Sequence, residues 1–146
     1  MDSYTRRFIK ASLVWLCVGV VVGLVMAVRP QLTVYRPAHL HALLLGFVAM
    51  MIFGVAYHVI PRFAGHVLVY PRLATAHLIA ANVGLAAMVC GFVARVSGEQ
   101  LLAFGGALLG VGGLISSAGA VAFAVNIWRT MDAGRIPRRR GLPLAS

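Results

Sequence analysis

Acidic residues are almost missing from this chain. Asp2, Glu99 and Asp132 are the only three, and none lies inside a long apolar run. That excludes the paired carboxylates of hydrolytic acid–base catalysis. It also excludes a carboxylate proton relay inside the apolar segments. Only two cysteines occur, Cys17 and Cys90. Each sits in an apolar run, so a disulfide scaffold is excluded and both are expected to be small core residues. No Ser-His-Asp set, glycine-rich phosphate loop or Cys-x-x-Cys pair is present. Charged residues reach only 11%, against about 25% in an ordinary soluble domain.

What fills the chain instead is apolar. Hydrophobic residues make up 61% of 146 residues, and mean hydropathy is +0.92. One domain of this size cannot hide so much apolar surface from water, so a lipid bilayer is the expected solvent. A spanning helix needs about 20 mostly apolar residues. Four spans are predicted, over residues 8–28, 39–60, 73–93 and 101–128. Pro30, Pro37, Pro61 and Pro71 fall between them, where the chain is expected to leave helix, and Ser97-Gly98 marks the third turn. The first segment has the basic start of a signal peptide. Its apolar stretch is too long for one, however, and no small-x-small cleavage site precedes Arg29, so it is read as a retained span. The expected architecture is all-α: a single-domain integral membrane four-helix bundle.

Charge predicts the orientation. Arg6, Arg7, Lys10, Arg62, Arg72, Arg129, Arg135, Arg138, Arg139 and Arg140 fall on one side, and only Arg29, Arg36 and Arg95 on the other. The positive-inside rule then places both termini in the cytoplasm, and the expected location is the cell (inner) membrane. The net charge of +10 is juxtamembrane, with no basic groove carrying interleaved aromatics, so nucleic acid is not an expected partner. Arg138-Arg139-Arg140 is expected to meet anionic lipid head groups, at about 1 kcal/mol per residue.

Sixteen glycines suit membrane helices that approach closely. Gly19 and Gly23 form a small-xxx-small pair in the first span, and Gly105, Gly106, Gly110, Gly112, Gly113 and Gly119 smooth the fourth. They predict helix packing or a homo-oligomer, or else room for a flat ring system between helices.

Polar residues in the spans are read as almost entirely histidine, and imidazole suits iron, copper and zinc. His39 and His41 open the second span, His58 closes it, His66 lies in the following loop and His77 begins the third span. By helical phase His39 shares a small, mixed face with Gly46, Met50, Gly54 and Tyr57. His41 falls with Leu45, Val48, Ile52, Val55 and Val59, and His77 with Ala81, Gly84, Met88 and Gly91. His39 and His77 are therefore expected to point inward. His39 and His58 are nineteen residues apart, about 28 Å along a helix. That predicts an outer zone (His39, His41, Met26) and an inner zone (His58, His77, His66), with no single haem held by His39 and His77 of one subunit.

The stretch 36–65 reads RPAHLHALLLGFVAMMIFGVAYHVIPRFAG. It resembles the second transmembrane helix of subunit I in the heme-copper oxidase superfamily, especially nitric-oxide reductases and C-type oxidases. In that family an Arg-x-x-His start supplies an axial ligand to a low-spin haem b, and Arg36 and His39 match it. Tyr57-His58 and Pro61-Arg62 match its end. The stretch is equally similar to the NnrS family of haem- and copper-containing membrane proteins, through His39, His41, Gly46 and Phe47. The resemblance implies haem b with His39 as axial ligand, His77 or His41 as alternative ligands, and Arg36 as a propionate partner. The later oxidase helices and their histidines have no counterpart in the four spans, so stand-alone oxidase chemistry is not expected. Three functions follow: a membrane haem b protein in electron transfer or diatomic-gas handling, a cofactor-free accessory or assembly subunit of a larger respiratory membrane complex, or a copper-binding protein using His39, His41 and Met26.

Overall fold

The computed structural model describes residues 2–133. The basic run Arg138-Arg139-Arg140 and Arg135 lie outside the described residues. Four helices are long and apolar enough to cross a membrane: α1 (Ser3–Val28), α2 (Pro30–Phe63), α3 (Pro71–Val96) and α4 (Glu99–Ala133). No strand occurs among the described residues. The all-α bundle of four spanning helices is thus present, and apolar helix surface faces the lipid. Connections are short, so consecutive helices run antiparallel. Gly65 (φ 63°) and Gly98 (φ 153°) take the left-handed turn conformations between helices that a side chain would strain.

The helices overrun the predicted spans because the prolines do not break them. Pro30 and Pro71 occupy first turns, where a missing N–H costs nothing. Pro37 lies inside α2, in the first turn of a fresh α segment, Arg36–His41, that follows a 3-10 stretch, Pro30–Tyr35. Pro61 lies inside the last α segment of α2, two residues before its end, so only one intrahelical bond is lost. Between these segments, Ala42–Ala49 forms a π-helix.

One end of the bundle, here the terminus end, gathers the start of α1, the end of α2, the start of α3 and the end of α4. Phe8, Tyr57, His77 and Phe123 meet there. The core continues through Met50, Leu78 and Leu85. Glycine sets the spacing of α3 on α4. A Cβ on Gly84 would lie 2.7 Å from the Gly112 carbonyl oxygen, and one on Gly91 would lie 2.8 Å from that of Gly105. Gly46 is pressed on Trp15 and Leu85, and Gly54 on Phe8 and Ile9. Gly106, Gly110 and Gly113 differ, since nothing lies within 4 Å of their added Cβ. Cys17 and Cys90 are exposed on the helix surface rather than in the core. Side chains of lipid-facing residues need no internal partner in a bilayer, so an apolar neighbourhood in sequence did not mean burial.

The polar interior is broader than histidine. Thr5, Ser12, Asn126 and Thr130 are fully buried. Asn126 closes two hydrogen bonds on the Tyr70 backbone: the Tyr70 N–H donates to Oδ1 at 3.1 Å, and Nδ2 donates to the Tyr70 carbonyl at 2.8 Å. Thr130 accepts from the Val69 N–H at 3.2 Å. Together they clamp the α2–α3 loop onto α4. Midway along the bundle, Trp15 Nε1–H donates to Asn82 Oδ1 at 3.2 Å and ties α1 to α3.

Candidate functional site

His39 stands in the α segment Arg36–His41, and it leans on α1. Its Nδ1 lies 2.9 Å from the Gly19 carbonyl oxygen. A carbonyl only accepts, so Nδ1 carries the proton and donates. In the neutral ring the lone pair is then on Nε2. No described residue hydrogen-bonds Nε2. A Cβ at Gly23 would lie 2.8 Å from Cε1 of His39, so the ring occupies space that glycine leaves. A backbone acceptor on one ring nitrogen and a free lone pair on the other is the usual setting of a metal-binding histidine. Arg36, one turn earlier, is exposed and has no hydrogen-bond partner among the described residues.

His41 turns the other way. Its Nδ1–H donates to the Pro37 carbonyl at 2.8 Å, and its ring lies 4.7 Å from Phe92 on α3. Ala38 and Ala42 line an apolar cleft of about 230 Å³ with Met26, Tyr35 and Val89, and neither histidine is among its lining residues. His39 and His41 thus share one end of the bundle, but His39 faces α1 and His41 faces α3. Among the described residues no group of three or more His, Cys, Asp or Glu is placed to hold a metal.

The predicted inward face of α2 is buried at Gly46, Met50, Gly54 and Tyr57, while His39 itself is only half-buried. The π-helix explains the offset. Its i→i+5 bonding lowers the angle per residue, so a phase counted back from Tyr57 at 100° arrives at His39, whereas the buried positions beyond the π stretch are Ala38 and Ala42. Of the residues that share the His41 face, Leu45, Val48, Ile52 and Val55 are exposed and Val59 is half-buried.

The inner-zone histidines separate as well. His77 is 1% exposed and enclosed by the rings of Phe8, Phe53, Tyr57 and Phe123, at centroid distances of 4.7 to 5.9 Å. Its Nδ1 lies 3.2 Å from the Tyr57 hydroxyl. It points inward as expected, into a packed aromatic box. His77 would have to leave that box to reach a large planar ligand. His58 accepts from Arg62 Nη1 at 2.8 Å, and His66 Nδ1–H donates to the Val67 carbonyl at 2.7 Å in the loop. His39 and His77 meet α1 at Gly23 and Phe8 respectively, about 22 Å apart along the helix. No one group can bridge them within this chain.

Sequence reasoning missed the amides. Asn82 and Asn126 are single polar residues within apolar runs. The cost of an unpaired polar group in hydrocarbon, applied to amides as it was to histidine, would have marked both. No protein-family model, no curated protein and no solved structure matches the chain.

Proposed function

We propose that the chain is an integral membrane haem b protein working in electron transfer or in the handling of a diatomic gas such as nitric oxide or oxygen. His39 is its iron ligand through Nε2, and Arg36 is a partner for a propionate. In this reading the membrane is the cell (inner) membrane, and the charge asymmetry supports both termini on its cytoplasmic side. The observation that carries this reading is the His39 ring: Nδ1–H is fixed on the Gly19 carbonyl, Nε2 has no partner, and Gly23 makes room. The π-helix directly after His41 supports it, because π turns recur at functional sites.

The donor fits haem iron; the cavity fits it in part. The neighbouring cleft of about 230 Å³ falls below the roughly 300–1,000 Å³ of ordinary ligand pockets. The chain therefore supplies the ligand and one apolar wall, and a second copy or a larger membrane complex supplies the rest. Haem b, when bound, supplies one-electron and gas-binding chemistry. The protein's own part is to hold the His39 tautomer through Gly19, to seat the ring on Gly23, and to keep water away with Val18, Val22 and Ala42.

The test is an absorption spectrum of detergent-purified protein expressed with ample haem, oxidised and then reduced, with and without carbon monoxide. A Soret band is expected in the wild type and its loss in His39→Ala, while His66→Ala keeps it. Reduced α and β bands that carbon monoxide leaves in place assign electron transfer; bands that it moves assign gas handling. Colourless protein overturns the haem reading. It would leave the cofactor-free accessory subunit, which the open Gly106, Gly110 and Gly113 on α4 favour as a surface for a partner helix. The copper reading has less support, because His39 and His41 turn to different helices.

A further inference from the structure

A cavity of about 640 Å³ opens at the terminus end of the bundle, away from His39. It lies between the start of α1 and the α2–α3 loop. Tyr57, Pro61, Leu68 and Pro71 form apolar walls, and Asp2 and Arg62 supply opposite charges. Its volume is that of a small-molecule site. Asp2 immediately precedes α1 and Arg62 is the next-to-last residue of α2, so both charges stand where the apolar spans end. That is head-group level.

The two charges are not spent on each other. No ion pair joins Asp2 to Arg62 among the described residues. Asp2 interacts with the Tyr4 hydroxyl, which also lines the cavity. Arg62 uses Nη1 on the ring and carbonyl of His58, and its other N–H groups have no partner among the described residues. His66 holds its Nδ1 proton on Val67, so its Nε2 is an acceptor. The rim thus offers a carboxylate and an imidazole lone pair as acceptors, and a guanidinium as donor. Its complement is a molecule with an anion, a cation carrying N–H donors, and an apolar body. Guanidinium suits a phosphate.

We propose that this cavity binds the head group of a zwitterionic phospholipid with a primary ammonium, phosphoethanolamine in chemical class. The phosphate meets Arg62, the ammonium meets Asp2 and His66, and the acyl chains lie along the apolar helices. A choline head group has no N–H to donate to Asp2 or His66. A glycerol head group has no cation for Asp2. The site therefore selects by hydrogen bonding as well as by charge. This inference is independent of the haem reading.

The experiment is native mass spectrometry of the full chain in detergent with added phosphatidylethanolamine, phosphatidylcholine or phosphatidylglycerol of identical acyl chains. The ethanolamine lipid is expected to be preferred by about tenfold, the scale of one charge-assisted hydrogen bond. Asp2→Asn, at the edge of the fold, is expected to abolish the preference over the glycerol lipid. Arg62→Gln is expected to weaken all three. Equal binding of the three lipids by the wild type overturns the proposal, as does an unchanged preference in Asp2→Asn. Soluble phosphoethanolamine binding as tightly as the lipid would overturn the assignment to a membrane lipid.

Discussion

At the residue scale, glycines of similar sequence surroundings have different physical roles. Gly84 sits where an added Cβ would run into Ser116 Oγ and lie 2.7 Å from a backbone oxygen, whereas Gly110 has open space. Gly84→Ala is therefore expected to destabilise the bundle by about 1–3 kcal/mol, the range of an overpacked core. Gly110→Ala is expected not to destabilise the monomer and to stabilise it by up to about 1 kcal/mol, the helix-propensity gain. Reversible unfolding in mixed micelles measures both. Asn126 is the second such residue. Asn126→Ala leaves the Tyr70 N–H and carbonyl without their side-chain partner, at a cost of about 1–3 kcal/mol. The loss is expected first as faster hydrogen exchange in residues 64–70, because the loop is released before the helices separate.

At the element scale, α2 decides how the histidines are aimed. It is helical throughout but changes type, from 3-10 to α to π to α. The wide turn over Ala42–Ala49 brings Gly46 against Trp15 while His39 rests on Gly23. Across that glycine, Trp15 reaches Asn82 and locks α1 to α3. Asn82→Ala removes the partner of the indole N–H and is expected to cost about 0.6–1.7 kcal/mol, the range for hydrogen bonds between membrane helices. Measured in a Trp128→Phe background, tryptophan emission should shift to shorter wavelength as Trp15 loses its polar neighbour.

At the scale of the whole molecule, the antiparallel order puts the start of α1 and the end of α4 together, with Tyr57, His77 and Phe123 between them. The α2–α3 loop belongs to that end, and Ser97-Gly98 to the other. If the basic residues set the orientation, a cysteine at His66 is labelled from the cytoplasmic side. One at Ser97 is labelled from the opposite side. Both are tested with a membrane-impermeant reagent on oriented vesicles, with Cys17 and Cys90 replaced by alanine. Labelling of both from one side would contradict the four-span topology.

Composition and apolar run length alone determined the class of this protein: four helices, all-α, with lipid as solvent. The physical reason is that an unpaired backbone in hydrocarbon is too costly for any other local structure. Period grouped Leu45, Val48, Ile52 and Val55 on one face of α2, but only the packed bundle decided that this face is the exposed one. Tertiary structure decided the rest. Pro37 and Pro61 stay helical because their missing N–H groups fall where few bonds are at stake. The aim of His39 depends on a π-helix that no local pattern encodes, and on a carbonyl twenty residues away at Gly19. His77 is closed into its aromatic box by Phe8, Phe53, Tyr57 and Phe123, which come from three other helices. Directed contacts of this kind depend on which distant residues meet, and only the packed chain brings them together.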